Sequence, residues 1–396
     1  MWPRKLIDIS WSDLAFGASR CIAPGKTPRY PECQWVGHDH SVACLSVRSG
    51  FDLLLQVLRI PIGSEVLMSA VTIPDMVQIV RHHGLVPVPV DVDSTTLGPS
   101  MDSLNTRITA STRLVVIAHL FGSRVPLEPI IETARRHKLI VIEDCAQAFC
   151  GREYLGHPEA DASCFSFGPI KTASALGGAL IRVRDRRILE EIRRLQGQYP
   201  PQSQRRFAFR LLKYAFLKLA SQRLLFGAFL GCCRVVGRDP DRLVNSLARN
   251  FKKGDLIGRI RHRPCAALLA LLARRWQSYG LQRLERRAAL GSSLASRLKE
   301  VVCVPGFQSP HHTHWVFPVA TKDPDQLARS LRAAGFDATR SHHLAALEHP
   351  ADISHPEATS LVQMLPNVVF LPMYPELTEV AVAKMANIIL QHEIDS

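Results

Sequence analysis

Short apolar runs at 64–69, 86–90, 113–118 and 139–143 alternate with helix-spaced segments at 73–82 and 126–137, and this constrains the chain more than any other feature. Apolar strands of four to six residues that alternate with helices specify an α/β fold: a mainly parallel sheet with helices on both faces. Just upstream, Ala43 to Val47 reads as a strand, Ser49-Gly50 as a turn and Phe51 to Leu58 as a helix. That order puts the turn at a helix amino terminus, where backbone N–H groups can hold a phosphate. An ordinary tight turn is the alternative these residues leave open.

Sheets of this kind bind ligands at the carboxyl ends of their strands. The polar residues collected there are Ser49, Thr72, His119, Asp144 and Gln147, and Lys171 follows the apolar run Cys164–Phe167. Small residues and the pair Gly177-Gly178 come next. A lone cation in that setting reads as a reactive amine. Pyridoxal phosphate needs a lysine to form an imine and a carboxylate to keep its ring nitrogen protonated, which Lys171 and Asp144 can supply. For Asp144 alone, a helix cap or solvated turn is the competing reading. The cofactor phosphate needs hydroxyls and backbone N–H groups, which Ser166 and the Ser49-Gly50 turn can offer.

Composition narrows the partners. With 396 residues, 46% of them hydrophobic and 21% charged, the chain can build one large α/β domain and a smaller one. A net charge of +14 points to anionic partners, but no basic patch interleaves with aromatics, so nucleic acid is not expected. The ten cysteines form no Cys-x-x-Cys pair and lie mostly in apolar runs. They are expected to be reduced and buried, with no metal site. The opening MWPRKLIDISWSD lacks the apolar core of a signal peptide, so a cytoplasmic location is expected.

The motifs go further. Val141 to Ala148 reads V-I-E-D-C-A-Q-A, Phe165 to Lys171 reads F-S-F-G-P-I-K, and Gly177-Gly178 precedes the next apolar run. Upstream stand Ser49-Gly50, G-S-E-V-L at 63–67 and His119-Leu120-Phe121-Gly122; downstream stand Arg263-Pro264, Glu285-Arg286-Arg287 and Leu371-Pro372-Met373-Tyr374-Pro375. In this order they resemble the DegT/StrS family of pyridoxal phosphate-dependent sugar aminotransferases, over roughly residues 40 to 195 and 258 to 392. The resemblance implies the aspartate aminotransferase-like fold type I, with a small α+β C-terminal domain. It also implies a homodimer that moves an amino group, with glutamate as donor, onto a keto sugar linked to a nucleotide or a lipid. Carried over by residue, Lys171 resembles the imine-forming lysine and Asp144 the partner of the ring nitrogen. Gln147 resembles a residue beside the ring, and Ser166 a phosphate ligand.

Departures from the family bear on the site. Phe51 stands where a threonine usually follows Ser-Gly, which removes one phosphate contact. Ile73 replaces an aromatic that stacks on the cofactor. The family's Asn-x-Arg, which reaches the neighbouring subunit's site, aligns with Arg261-x-Arg263, and the added cation suits a more anionic substrate. Arg340, His342 and His343 occupy a segment that often approaches substrate, although surface or packing roles suit the histidines as well. Family members that dehydrate sugars carry His where this chain has Lys171, which weighs against elimination. Retention of lysine, aspartate, glutamine and serine together weighs against a non-catalytic scaffold.

The expected organisation is an arm over 1–40 without clear periodicity, a large cofactor-binding domain over 41–263, one long interdomain helix over 264–298 and a small domain over 299–396. In the last, Val301–Val304 and His314–Val319 read as strands, Pro324–Ala334 as a helix, Asp337–Arg340 as an edge strand and Leu377–His392 as a closing helix. An insert at about 197–253 is apolar and basic together. Its longest charge-free run, Leu224 to Cys233, is far short of the ~20 residues that span a bilayer. Peripheral membrane contact through 200–250 at the inner face, packing within a dimer, and a cover over the active site are the three readings of this insert.

Overall fold

The computed structural model describes residues 1–23, 40–222, 255–340, 345–347 and 360–394. Seven apolar runs form the central sheet: β1 (Ser41–Cys44), β2 (Glu65–Ser69), β3 (Val86–Val90), β4 (Thr112–Ala118), β5 (Ile140–Asp144), β6 (Ala162–Ser166) and β7 (Ala179–Val183). Their spatial order is β1-β7-β6-β5-β4-β2-β3. β7 pairs antiparallel with both β1 and β6, and the remaining pairs are parallel. Six strands therefore deliver their carboxyl ends to one edge, where Cys44, Ala118, Asp144 and Ser166 end their runs. Among the described residues this is the doubly covered α/β sheet of fold type I expected from the alternation.

Both sheet faces are buried, which explains why the strands read as nearly continuous apolar runs. Val42, Met68, Val116, Ile142 and Cys164 pack on one face beneath α2 (Val47–Leu58) and α3 (Pro74–His82). Leu67, Val115, Ile117 and Val141 meet α4 (Met101–Thr106) and α5 (Glu128–His137) on the other. The chain then continues through α6 (Arg186–Gly197), α7 (Gln204–Ala220), α8 (Leu256–Ile260), α9 (Ala266–Ser278) and α10 (Leu281–Leu298). A second core gathers Leu294 of α10, Phe317 of β8 (Phe317–Ala320), Leu327 of α11 (Pro324–Ala333), Val369 of β9 (Val368–Leu371) and Met385 of α12 (Glu379–Ile394). Its antiparallel sheet carries the two-residue strand Thr339–Arg340 at one edge.

Four local expectations are corrected. The Ser49-Gly50 pair is not a turn: the Ser46 side chain accepts the Ser49 N–H, so α2 begins at Val47, inside the run read as strand. The arm contains a helix, α1 (Trp11–Ile22), fixed by a capping box in which Ser10 and Asp13 satisfy each other's backbone N–H groups. The single interdomain helix is two helices. Tyr279 and Gly280 are extended between α9 and α10, and the Tyr279 hydroxyl donates to Asp8 at 2.7 Å. Glycine resists helical φ/ψ more than most residues, so this tether interrupts the helix at little cost. Val301–Val304 makes only a single bridge, Cys303 to Ala320, because the edge of β8 is met at one residue.

The amino terminus ties the parts together. Trp2 N–H donates to Gly335 O, and Arg4 pairs with Asp337 at 2.8 Å. α1 then packs on α7 and α9. There Gly17 allows the approach: a methyl in its place would meet Leu211 Cδ2 at 2.9 Å.

Candidate active site

Adjacent strands β4, β5 and β6 bring Ala118, Asp144 and Cys164 side by side, two residues before β6 ends at Ser166. Ala118 pairs in register with Asp144, and the Cys145 N–H donates to Cys164 O. Asp144 Oδ1 accepts the Ala146 N–H at 2.9 Å. Burial raises the Asp144 pKa, opposed by that hydrogen bond and by the nearby charges of Lys171, His119 and Arg48. Neighbouring Glu143 serves the scaffold. It is fully buried and accepts from His119 Nε2 at 2.7 Å, Ser163 Oγ at 2.8 Å, the His157 N–H at 2.9 Å and the Tyr154 hydroxyl. Burial alone would raise its pKa, but these donors overcome it and hold the carboxyl at about 2. His119 Nδ1 accepts the Val125 N–H at 3.0 Å, which fixes its proton on Nε2. His119, Glu143 and Cys145 lie close enough to share a cation, yet both histidine nitrogens are already engaged.

Lys171 stands at the end of a turn closed by its own N–H to Gly168 O. A methyl placed on Gly168 would lie 3.7 Å from both Lys171 Cγ and Ser166 Oγ, so lysine and serine face one small space. Burial pulls the Lys171 pKa from 10.5 to about 8; Asp144 opposes the shift and Arg48 adds to it. A neutral amine is thus available near physiological pH, as a nucleophilic lysine requires. The Lys171 Nζ lies 4.1 Å from the centroid of the Trp315 ring, whose Nε1 donates to Ile170 O.

The other expected residues divide. Gln147 is beside the site and uses Oε1 to accept the Phe121 N–H at 2.9 Å, pinning the loop after β4. Ser49 is buried in the first turn of α2 with its hydroxyl 3.0 Å from that of Ser46. At Gly50 a methyl would meet Ile181 Cγ1 at 2.4 Å, so close helix–strand packing requires glycine there. Phe51 is wholly buried in the central core, one turn into the helix. Ile73 caps α3 and packs against the same core, while Thr72 pairs with Ala345.

The arginines are placed apart from Lys171. Arg261 is held by Asp52, with Nε to Oδ2 at 2.9 Å and Nη2 to Oδ1 at 3.0 Å. Asp52 is fully buried and also meets His83, so the added cation is neutralised within its own chain. Arg263 has its backbone bonded to Pro200 and Gln202 and its side chain exposed. Arg340 bonds Asp325 and Pro366 O. His342 and His343 lie outside the described residues.

Three residues at the site escaped the sequence reading. Arg48, in the first turn of α2, pairs with Asp75 at 2.6 Å and acts on both Lys171 and Asp144. A cation directly before Ser49-Gly50 was its available signal. Trp315 and Lys5 had none: Lys5 Nζ donates to Trp315 O at 2.9 Å and lies 3.8 Å from the ring centroid that Lys171 also approaches. Burial, with Arg287 and Lys171 nearby, lowers the Lys5 pKa well below the usual lysine value.

A sequence profile of the DegT/DnrJ/EryC1/StrS aminotransferase family matches residues 32–212. The UDP-4-amino-4-deoxy-L-arabinose–oxoglutarate aminotransferase of Shewanella sediminis is 34% identical over 162 residues, 40% of this chain and 42% of that protein. The GDP-perosamine synthase of Caulobacter vibrioides is 33% identical over 167 residues, 41% and 45% of the two chains. The chain thus spans less than half the length of these curated relatives. The crystal structure of the aminotransferase TlmJ from Streptoalloteichus hindustanus matches with a TM-score of 0.71 at 16% identity, over 100% of this chain and 99% of that one. At that identity the likeness shows a shared fold.

Proposed function

We propose that the chain is a member of the DegT/DnrJ/EryC1/StrS aminotransferase family and a pyridoxal phosphate-dependent enzyme that transfers an amino group, with glutamate as donor, to a keto sugar on a nucleotide or lipid carrier; the profile match over residues 32–212 and the relatives at 33–34% identity support this. The observation that carries this reading is Lys171: a half-buried amine at the carboxyl edge of the sheet, whose pKa desolvation lowers to about 8 and which is electrostatically coupled to half-buried Asp144. The donor set fits the cofactor. Lys171 would be the covalent anchor, Asp144 would pair with the ring nitrogen, and Ser166 with the first turn of α2 and Arg48 would hold the phosphate. When bound, pyridoxal phosphate supplies an electron sink for charge that develops on the carbon next to nitrogen.

The residues then have distinct tasks. Asp144 would keep a proton on the ring nitrogen of the bound cofactor, and its desolvated setting would strengthen that ionic hydrogen bond. Lys171 takes the α-proton of the donor as general base. In the return half it delivers a proton to the sugar carbon that gains the amine. Gln147 holds the Phe121 loop against the site, and Trp315 roofs the lysine and limits water. The enzyme acts as a homodimer in which exposed Arg263 reaches across to the neighbouring site. Peripheral contact with a membrane through residues 200–250 belongs to the same reading.

Mass spectrometry of products from a panel of nucleotide- and lipid-linked keto sugars, with glutamate and cofactor, tests the reading. At least one sugar is expected to gain an amino group, and Lys171→Ala is expected to slow this by a factor of at least about a hundred. Equal turnover by the alanine variant would overturn the assignment.

A further inference from the structure

The helix α7 turns two apolar faces outward from its axis, and only one is used. Phe207, Leu211 and Tyr214 are buried against α1 and α9. Phe209 (71% exposed), Leu212 (66%), Phe216 (67%) and Leu219 (44%) recur at spacings of three, four and three, so they form one stripe on the opposite side. Large apolar side chains in an exposed row mark a surface that something covers.

The charges say what covers it. α7 carries Arg205, Arg206, Arg210, Lys213 and Lys218 and no carboxylate. Arg210 turns inward, its Nη1 donating to Leu176 O, and Lys218 approaches the Trp11 ring. Arg205 and Arg206 are exposed and Lys213 is partly so, beside the stripe. In sequence the whole interval from Glu191 to Asp239 contains ten Lys and Arg residues and no acidic one. A second copy docked through the same stripe would set cations against cations, because a twofold contact presents one patch to itself. An anionic bilayer meets both demands at once, taking apolar side chains at headgroup depth and Lys/Arg beside its phosphates. No described helix is long and apolar enough to cross a membrane.

We propose that the Phe209–Leu212–Phe216–Leu219 face of α7 seats the protein on an anionic lipid surface, with Arg205, Arg206 and Lys213 engaging the headgroups. This deepens the membrane contact in the proposed function, and it favours a lipid-linked keto sugar as the substrate presented at that surface.

Co-sedimentation with vesicles separates the outcomes. Intact protein is expected to bind phosphatidylglycerol-containing vesicles, to ignore pure phosphatidylcholine, and to be released by salt. Replacing Phe209 and Phe216 together by serine is expected to lower binding roughly tenfold or more, and Lys213→Glu to weaken it further. These side chains are exposed, so cofactor absorbance and thermal midpoint should stay unchanged and certify the fold. Absence of binding to anionic vesicles would overturn the proposal while leaving the Lys171 assignment standing. So would a concentration-dependent oligomer that dissolves in the serine variant, because the stripe would then be a protein interface.

Discussion

At the scale of single residues, burial sets the chemistry. Lys171 is expected to capture pyridoxal phosphate with a rate that rises through pH about 8, because the reactive form is the neutral amine. A midpoint near the ordinary 10.5 would contradict the buried setting. Glu143 shows the opposite shift. With a folded pKa of about 2 against 4.5 unfolded, it contributes stability that is fully present above pH 4.5 and lost as pH falls toward 2. Glu143→Gln is expected to cost on the order of 3 kcal/mol at neutral pH, and the gap to the parent should narrow by about 1.4 kcal/mol per pH unit below 4.5. Parallel unfolding curves would refute this. The placement of Asp144 and Lys171 at strand ends was legible because Asp144 closes β5 and Lys171 follows β6 within five residues, so local order placed them. Lys5 and Trp315 were not: they are 310 residues apart and meet only through the folded amino terminus.

At the scale of elements, the strands of the central sheet were read well, and helix boundaries and the small domain's strands less so. Strand periodicity is a local property, whereas α2 starts where one serine side chain captures a backbone N–H three residues on. That capture turned an apparent phosphate turn into a helix whose Gly50 serves packing. Gly50→Ala is expected to destabilise the protein by about 1–3 kcal/mol, since the new methyl collides with Ile181. In an Ile181→Ala background most of that cost should disappear, and equal costs in both backgrounds would show that Gly50 matters for another reason. The break at Tyr279-Gly280 escaped the sequence for a similar reason. Its cause, Asp8, lies more than 250 residues upstream.

At the scale of the molecule, the fold and the distribution of charge tell different stories. The sheet, its covered faces and the second core belong to a scaffold shared with many aminotransferases, and they position a lysine at a strand end. Beside that scaffold stand the acid-free basic interval around α7 and the way Arg261 is spent on Asp52 inside its own chain. The sequence suggested that Arg261 would face an anionic substrate; its partner lies 209 positions away, beyond reach of any local pattern. The proposed chemistry depends on Lys171 as the covalent anchor. The direct measurement is borohydride reduction of the protein after incubation with pyridoxal phosphate, followed by peptide mass spectrometry. A cofactor-derived mass on the peptide containing Lys171, absent from Lys171→Ala, is the expected result; the same mass on Lys5, or none on either lysine, would contradict it.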